Sequence, residues 1–316
     1  LLDSVESADA VLFIMPVYSA MVPSGVKSFV ELINTDNAAK KAFAGKWAAT
    51  VTTSVNVLDR FVGQYIHAVC EDWHMHYVDS FFGTIVPVID EQYKKNLYRF
   101  YFRFLAAAQE RIPVQKTFNS NFVAVPKYSD SSTEFTPKKS GKKIALITDM
   151  EHAGENLSEM IVSFCNSALF EVEVIDLSEY NFSHCNGCIH CTQKLECAIK
   201  DGFQQLHKEK ILTADALVIA GTIVDRYLSS EIKKFFDRGF YQNHIPYMKD
   251  KPVALIVSGP LRDNITIQES VISILELRGA ACIGCVTDES EDNVHTAALI
   301  KQLAMNLSDC VEHNYT

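Results

Sequence analysis

No stretch of this 316-residue sequence approaches the roughly 18 apolar residues that a membrane-crossing helix needs. Its longest apolar runs are strand-sized and broken by polar residues, so no membrane partner is expected. Positive charge is in deficit: 29 Lys and Arg face 39 Asp and Glu, a formal charge of −10. Nucleic acid as a bulk partner would need clustered cations, and it is not expected either. Hydrophobic content of 48% and charged content of 22% exclude disordered and collagen-like chains. No Ser-His-Asp order or general-acid pair stands out. The spread, paired cysteines of a secreted domain are also missing. There are nine, an odd number, and four crowd into the thirteen residues from Cys185 to Cys197. Crowding of that kind points to a reduced, cytoplasmic setting and to a metal or redox site.

What is present is a regular alternation. Val11–Pro16, Trp47–Thr53 and Tyr77–Val88 read as strands. Ser24–Ile33, Leu58–Cys70 and Glu91–Ile112 read as helices. The last is aromatic on more than one face, which makes it a candidate packing surface between domains or a thick core helix. Residues 117–141 change to Asn, Ser, Thr, Pro and Lys and read as a linker. A fresh series follows, with strands at Lys143–Thr148, Val172–Leu177, Ala216–Gly221, Val253–Ser258 and Ala280–Val286, and helices between and after them. Five strands alternating with helices over about 170 residues imply a parallel, doubly wound α/β sheet. The count fits the flavodoxin-like order 2-1-3-4-5.

An internal repeat extends this reading. Ala8–Leu32 and Ala214–Arg238 align without gaps, each with Ala-Asp-Ala, an apolar strand, a loop, then Ser, Lys and Phe at matching offsets and an acid one residue before the end. The first copy therefore starts where the second is at its third strand. The expectation is two tandem flavodoxin-like domains. Residues 1–116 would be the C-terminal part of one that lacks its first two strands here, and 142–316 a complete one. The missing strands would come from upstream of Leu1 or from another chain.

Cys185, Cys188, Cys191 and Cys197 have the spacing C-x2-C-x2-C-x5-C, after the second strand of the second domain. Three thiolates two residues apart can wrap one loop around a cubane, and a fourth closes it. Gly187 allows a tight bend. Zinc also accepts four thiolates, usually from two separated knuckles, and a redox pair needs only two. All three chemistries stay open on spacing alone. His184 and His190 read as flanking residues, since four thiols already complete a set.

Together the repeat and the cysteine motif resemble the NADPH-dependent FMN reductase family of flavodoxin-like proteins, and its iron–sulfur flavoprotein branch in particular. Asp201-Gly202-Phe203 resembles the acidic pair and aliphatic residue that follow the branch's cysteines, with Gly202 replacing one acid. The resemblance implies an oxidoreductase with FMN, a [4Fe–4S] cluster at the four cysteines, NAD(P)H as a co-substrate and a homo-oligomeric state. The acceptor would be a ferredoxin-like redox partner protein or a small molecule. It also implies which loops meet the flavin. The first domain keeps the family's Pro-Val-Tyr as Pro16, Val17 and Tyr18, followed by Ser19, with Thr52, Thr53 and Ser54 in the next loop. The second domain keeps Asn156 of the phosphate loop but has Asp149, Glu151 and Glu155 around it, and Thr222-Ile223-Val224 in place of Pro-Val-Tyr. FMN is therefore expected in the first domain, although Asn156, Ser158, Ser258 and Gly259 could still hold one in the second. A non-enzymatic electron carrier and a degenerate binding module with structural zinc are the rival readings.

Other residues read more plainly. Cys282 and Cys285 lie on a strand and read as core cysteines, as do Cys70, Cys165 and Cys310. His74 and His76 lack a third ligand in sequence. Lys233, Lys234 and Arg238 read as a solvated basic helix edge.

Overall fold

In a computed structural model, residues 1–55, 58–84, 91–119, 124–130, 135–242 and 245–315 are described. The chain divides into two compact units, Leu1–Phe122 and Val123–Thr316.

Unit one holds a three-stranded parallel sheet. Its strands are β1 (Ala10–Pro16), β2 (Trp47–Ser54) and β3 (His76–Thr84), in the order β1-β2-β3. The strand expected to run to Val88 is described as far as Thr84; residues 85–90 lie outside the described residues. Helices α1 (Ser24–Thr35), α2 (Arg60–Asp72) and α3 (Glu91–Gln109) accompany the strands. Helix α3 lays Phe100 and Phe104 on Ala49, Leu12, Val51 and Phe81 of the sheet. Its aromatics on the other side, Tyr98, Tyr101 and Phe102, are exposed. Glu71, buried at the end of α2, accepts hydrogen bonds from the backbone N–H groups of Thr117 and Phe118, at 2.7 and 2.9 Å. That carboxylate ties down the start of the expected linker.

Unit two holds five parallel strands: β4 (Lys139–Thr148), β5 (Phe170–Asp176), β6 (Ala216–Val224), β7 (Pro252–Ser258) and β8 (Ala281–Thr287). Their order is β5-β4-β6-β7-β8, which is 2-1-3-4-5 within the unit. All of β7 and residues 216–221 of β6 are buried. Helices on both faces remove water from both sides, which is why these central strands are continuous apolar runs rather than alternating ones. The helices used below are α4 (Gly154–Ser167), α5 (Cys191–Lys194), α6 (Ser230–Arg238), α7 (Ile265–Leu277) and α8 (Asn293–His313). Leu157, Met160 and Phe164 of α4 and Ile300, Leu303 and Leu307 of α8 close one face of the sheet.

Parts of the expected linker pack on unit two. Tyr128 is buried at 1% exposure and joins that core. Lys138 Nζ donates to the carbonyls of Cys165 and Ala168, at 2.5 and 2.6 Å. Residues 120–123 and 131–134 lie outside the described ones. A polar composition predicted a linker, but one apolar ring and one lysine suffice to seat these pieces. The helix expected between the cysteines and β6 is a short α-turn, Phe203–Leu206, followed by a π-helical turn, His207–Ile211. Among the described residues no helix is long and apolar enough to cross a membrane.

Candidate functional site

In unit one the register places Met15 opposite Thr52 and Pro16 opposite Thr53. Val17 N donates to Thr53 O at 3.0 Å. The two loops anticipated for a flavin ring therefore end side by side. The chain then reverses at once. Tyr18 and Met21 exchange both backbone hydrogen bonds around Ser19 (φ 44°) and Ala20 (φ 61°). Two left-handed residues in succession make a type I′ turn, which favours Gly or Asn. With a side chain at both positions the strain is roughly 1–3 kcal/mol each, and it persists only because the surrounding structure imposes it. Ser54 Oγ donates to buried Asp59 Oδ1 at 2.5 Å. The Thr52 hydroxyl is fully buried and meets no hydrogen-bond partner among the described residues. Pro16 is exposed and Tyr18 half-buried at the turn, so these two are open to a flat ring.

Unit two repeats this geometry. Thr222 lies opposite Ser258, and Val224 pairs with Tyr227 around Asp225 (φ 47°) and Arg226 (φ 71°). The repeat seen in the sequence is thus a repeat of the turn itself. Here, however, the strand ends are filled. Asp288, 1% exposed, accepts hydrogen bonds from Ser258 Oγ at 2.6 Å, Gly259 N at 2.8 Å and Asn156 Nδ2 at 2.7 Å. Asn156 also donates to Pro126 O and accepts from Tyr128 N. Ser158 Oγ turns back to Gly154 O at 2.7 Å.

The first loop of unit two is closed as well. Met150 N donates to Asp176 Oδ1, His152 N to Asp149 O and Ala153 N to Met150 O. Burial pushes the Asp149 carboxyl up, but hydrogen bonds from His152 and Ser229 outweigh it and hold it below its ordinary value. With three of its amides engaged and the buried Asp149 carboxylate beside them, this part of the loop is poorly suited to an FMN phosphate. A cavity of about 540 Å³ lies along β8, lined by Arg262 and His295 as well as Glu289 and Glu291.

Gly259 has φ +119°, and a Cβ there would stand 3.0 Å from Ile223 Cβ. Gly259→Ala is expected to destabilise unit two by about 1–3 kcal/mol. Urea unfolding followed by circular dichroism reads this, and an unchanged midpoint would contradict it.

The cysteine loop leaves the sheet after β5. None of the nine cysteines is in a disulfide. Burial raises the Cys185 and Cys191 thiols, and neighbouring sulfurs add to the effect: Cys197 at Cys185, and Cys185, Cys197 and Cys188 at Cys191. Charge on these sulfurs would therefore be felt at Cys185 and Cys191. Among the described residues no three His, Cys, Asp or Glu side chains are close enough to hold a single ion. A cubane binds each thiolate to a different iron, so its ligands stand further apart than those of one ion. Four free thiols on one loop match a cubane's outer ligands in number and kind. Gly187 (φ 67°) provides the expected bend. Ile189 (φ 51°) is β-branched and left-handed, an outlier between the second and third cysteines.

The base of the loop is clamped. Asp201 accepts from Ser183 N at 2.8 Å, from Phe203 N at 3.3 Å, and from Arg238 Nη1 and Nη2 at 2.7 and 2.9 Å. Burial works against the Asp201 carboxylate, yet the Arg238 hydrogen bonds outweigh it and bring its pKa down to about 2. The basic edge expected to be solvated is not: Lys233, Lys234 and Arg238 are 0%, 8% and 2% exposed. Lys233 forms a fully buried ion pair with Asp237. The repeat held the missing signal, because Lys27 of unit one is also 0% exposed and pairs with Glu31 at the same spacing.

Parallel sheets with their loops gathered at the carboxyl ends of the strands define a flavodoxin-like α/β protein. The chain belongs to the NADPH-dependent FMN reductase family, whose profile matches residues 1–84 and 150–289. A curated relative, the iron-sulfur flavoprotein of Archaeoglobus fulgidus, is 32% identical over 82 residues, which are 26% of this chain and 37% of that protein. The chain thus spans well under half the length of this relative. Among solved structures, the NAD(P)H:quinone oxidoreductase of Methanothermobacter marburgensis is similar at 15% identity and a TM-score of 0.42, over 56% of this chain and 100% of that one. A flavodoxin, WrbA-like protein from Agrobacterium tumefaciens is similar at 14% identity and a TM-score of 0.39, over 55% and 99%.

Proposed function

We propose that this chain is a flavin-dependent oxidoreductase that carries FMN at the strand ends of unit one and a [4Fe–4S] cluster at Cys185, Cys188, Cys191 and Cys197. The observation that carries the reading is the set of four free thiols on one loop anchored at its base. Family membership supports the flavin, and the relative named an iron-sulfur flavoprotein supports the pairing of the two groups. When bound, FMN takes a hydride as an electron pair and releases electrons singly, and the cluster carries one at a time. Pro16 and Tyr18 would border the ring, Tyr18 as an aromatic side chain of the kind that stacks on one. Val17, Ser19, Thr52, Thr53 and Ser54 would shape the two loops. Asn156, Ser158, Ser258 and Gly259 serve as framework.

NAD(P)H is the proposed donor. The acceptor is a ferredoxin-like redox protein or a small molecule, and the setting is a cytoplasmic homo-oligomer. Saturating the chain with FMN and counting released flavin tests the placement. A single FMN per chain, weakened by Tyr18→Ala, is expected. Two per chain would overturn the exclusion from unit two, and none would overturn the site in unit one.

A further inference from the structure

We propose that Arg238 is a positioning residue of the cysteine site: it closes the base of the loop through Asp201 and places a buried positive charge at Cys197. The charge at the cluster rests on the reading of the four thiols as metal ligands; the closure of the loop does not.

The geometry is particular to this arginine. Its guanidinium holds both oxygens of Asp201, just past the loop, and donates to Ser183 O, just before it, at 2.7 Å. Both ends of a long excursion are thereby joined on one side chain. Arg238 lies 4.9 Å over the Phe203 ring, which fixes the plane of the fork. Its Nε is buried and, among the described residues, meets no acceptor at ordinary hydrogen-bond geometry, while Cys197 is close enough to hydrogen-bond the guanidinium and to act on its charge. A thiolate there would be a stronger acceptor for that N–H than a thiol.

The molecule supplies its own comparison. In the gap-free repeat, Lys233 and Asp237 correspond to Lys27 and Glu31, and both copies form the pair on a buried lysine. Arg238 corresponds to Leu32, which is 66% exposed. The shared pair accompanies the shared fold. The arginine is present only in the copy that carries the cysteine loop.

The test uses the full chain. In metal-free protein, Arg238→Met is expected to speed alkylation of Cys185 and Cys197 by about tenfold, because the base of the loop opens more often. Arg238→Lys should lie between, and Cys165 and Cys310 should react as before, which reports an intact core. Asp201→Asn should speed the same two cysteines and serves as the second variant if Arg238→Met does not fold. In iron-reconstituted protein the two variants should separate. Arg238→Met leaves a carboxylate by the cluster and should lower its midpoint potential; Asp201→Asn leaves a cation and should raise it. Unchanged alkylation in folded variants would overturn the closure. Potentials that move the same way, or do not move, would overturn the charge role. Wild-type chain that takes up no iron would instead overturn the cluster reading and the charge role with it, while the alkylation result still decides the closure.

Discussion

Serine at any one of Cys185, Cys188, Cys191 or Cys197 is expected to cut bound iron from about four per chain to well under one after anaerobic reconstitution. The reason lies in the arithmetic of a cubane. Each iron needs one outer thiolate, and the loop provides four in all. His184 and His190 flank the set, but an imidazole held on a neighbouring residue reaches a different point from the thiolate it would replace. The loop is also restrained, with its base fixed by Asp201 and Arg238 and left-handed residues at Gly187, Ile189 and Leu195. Such a loop does not readily shift to recruit a fifth group. Serine at Cys165 or Cys310, both packed in unit two, should leave the iron count unchanged. Iron analysis with the absorbance near 400 nm reads the outcome. Stoichiometric zinc and no iron in wild-type protein would overturn the assignment.

The second large effect concerns acid. His207 is fully buried in the π-helical turn, surrounded by Phe203, Phe235, Tyr241 and Tyr247. Its Nδ1 lies 3.0 Å from Tyr241 Oη. Burial, with Arg278 and Lys251 nearby, brings its pKa down to about 3. The unfolded chain binds that proton near pH 6.5, so between pH 6.5 and 3 protons favour unfolding. The stability from a neutral His207 is complete above pH 6.5 and is lost as the pH falls toward 3. The loss is on the order of 3 kcal/mol by pH 4. His207→Phe, which cannot titrate, should lose less stability than wild type over this window in urea unfolding followed by circular dichroism. Parallel pH curves for the two proteins would contradict the assignment. Asp201 acts in a lower window: its stabilisation is present above pH 4 and is lost as pH falls through about 2.

The two predictions differ in how visible their residues are from sequence. The four cysteines could be found because spacing on a short loop nearly dictates proximity. His207 could not, because nothing local separates a buried histidine from an exposed one at a helical position. The same contrast runs through the flavin loops. Pro16-Val17-Tyr18 was recognisable as a strand end, and the parallel register then sets it beside Thr52 and Thr53. The filled strand ends of unit two were only half legible. The acids of its first loop were plain in sequence, but Asp288 lies 132 residues from Asn156 and meets it only across the sheet.

Arg238 makes the same point at a site of charge. Three cations within six residues read as a solvated edge, because burying a charge is costly unless it is paired. The partners Asp237 and Asp201 remove that cost, and one of them is 37 residues away.

Sequence by itself therefore determined the α/β alternation, the duplication and the cysteine loop, because each depends on periodicity or spacing over a few residues. Tertiary structure alone decided that the basic helix is buried and that one arginine closes the loop. It also decided that an aspartate fills the second unit's strand ends. These outcomes depend on which distant carboxylate meets which donor, and a local pattern carries no record of that pairing.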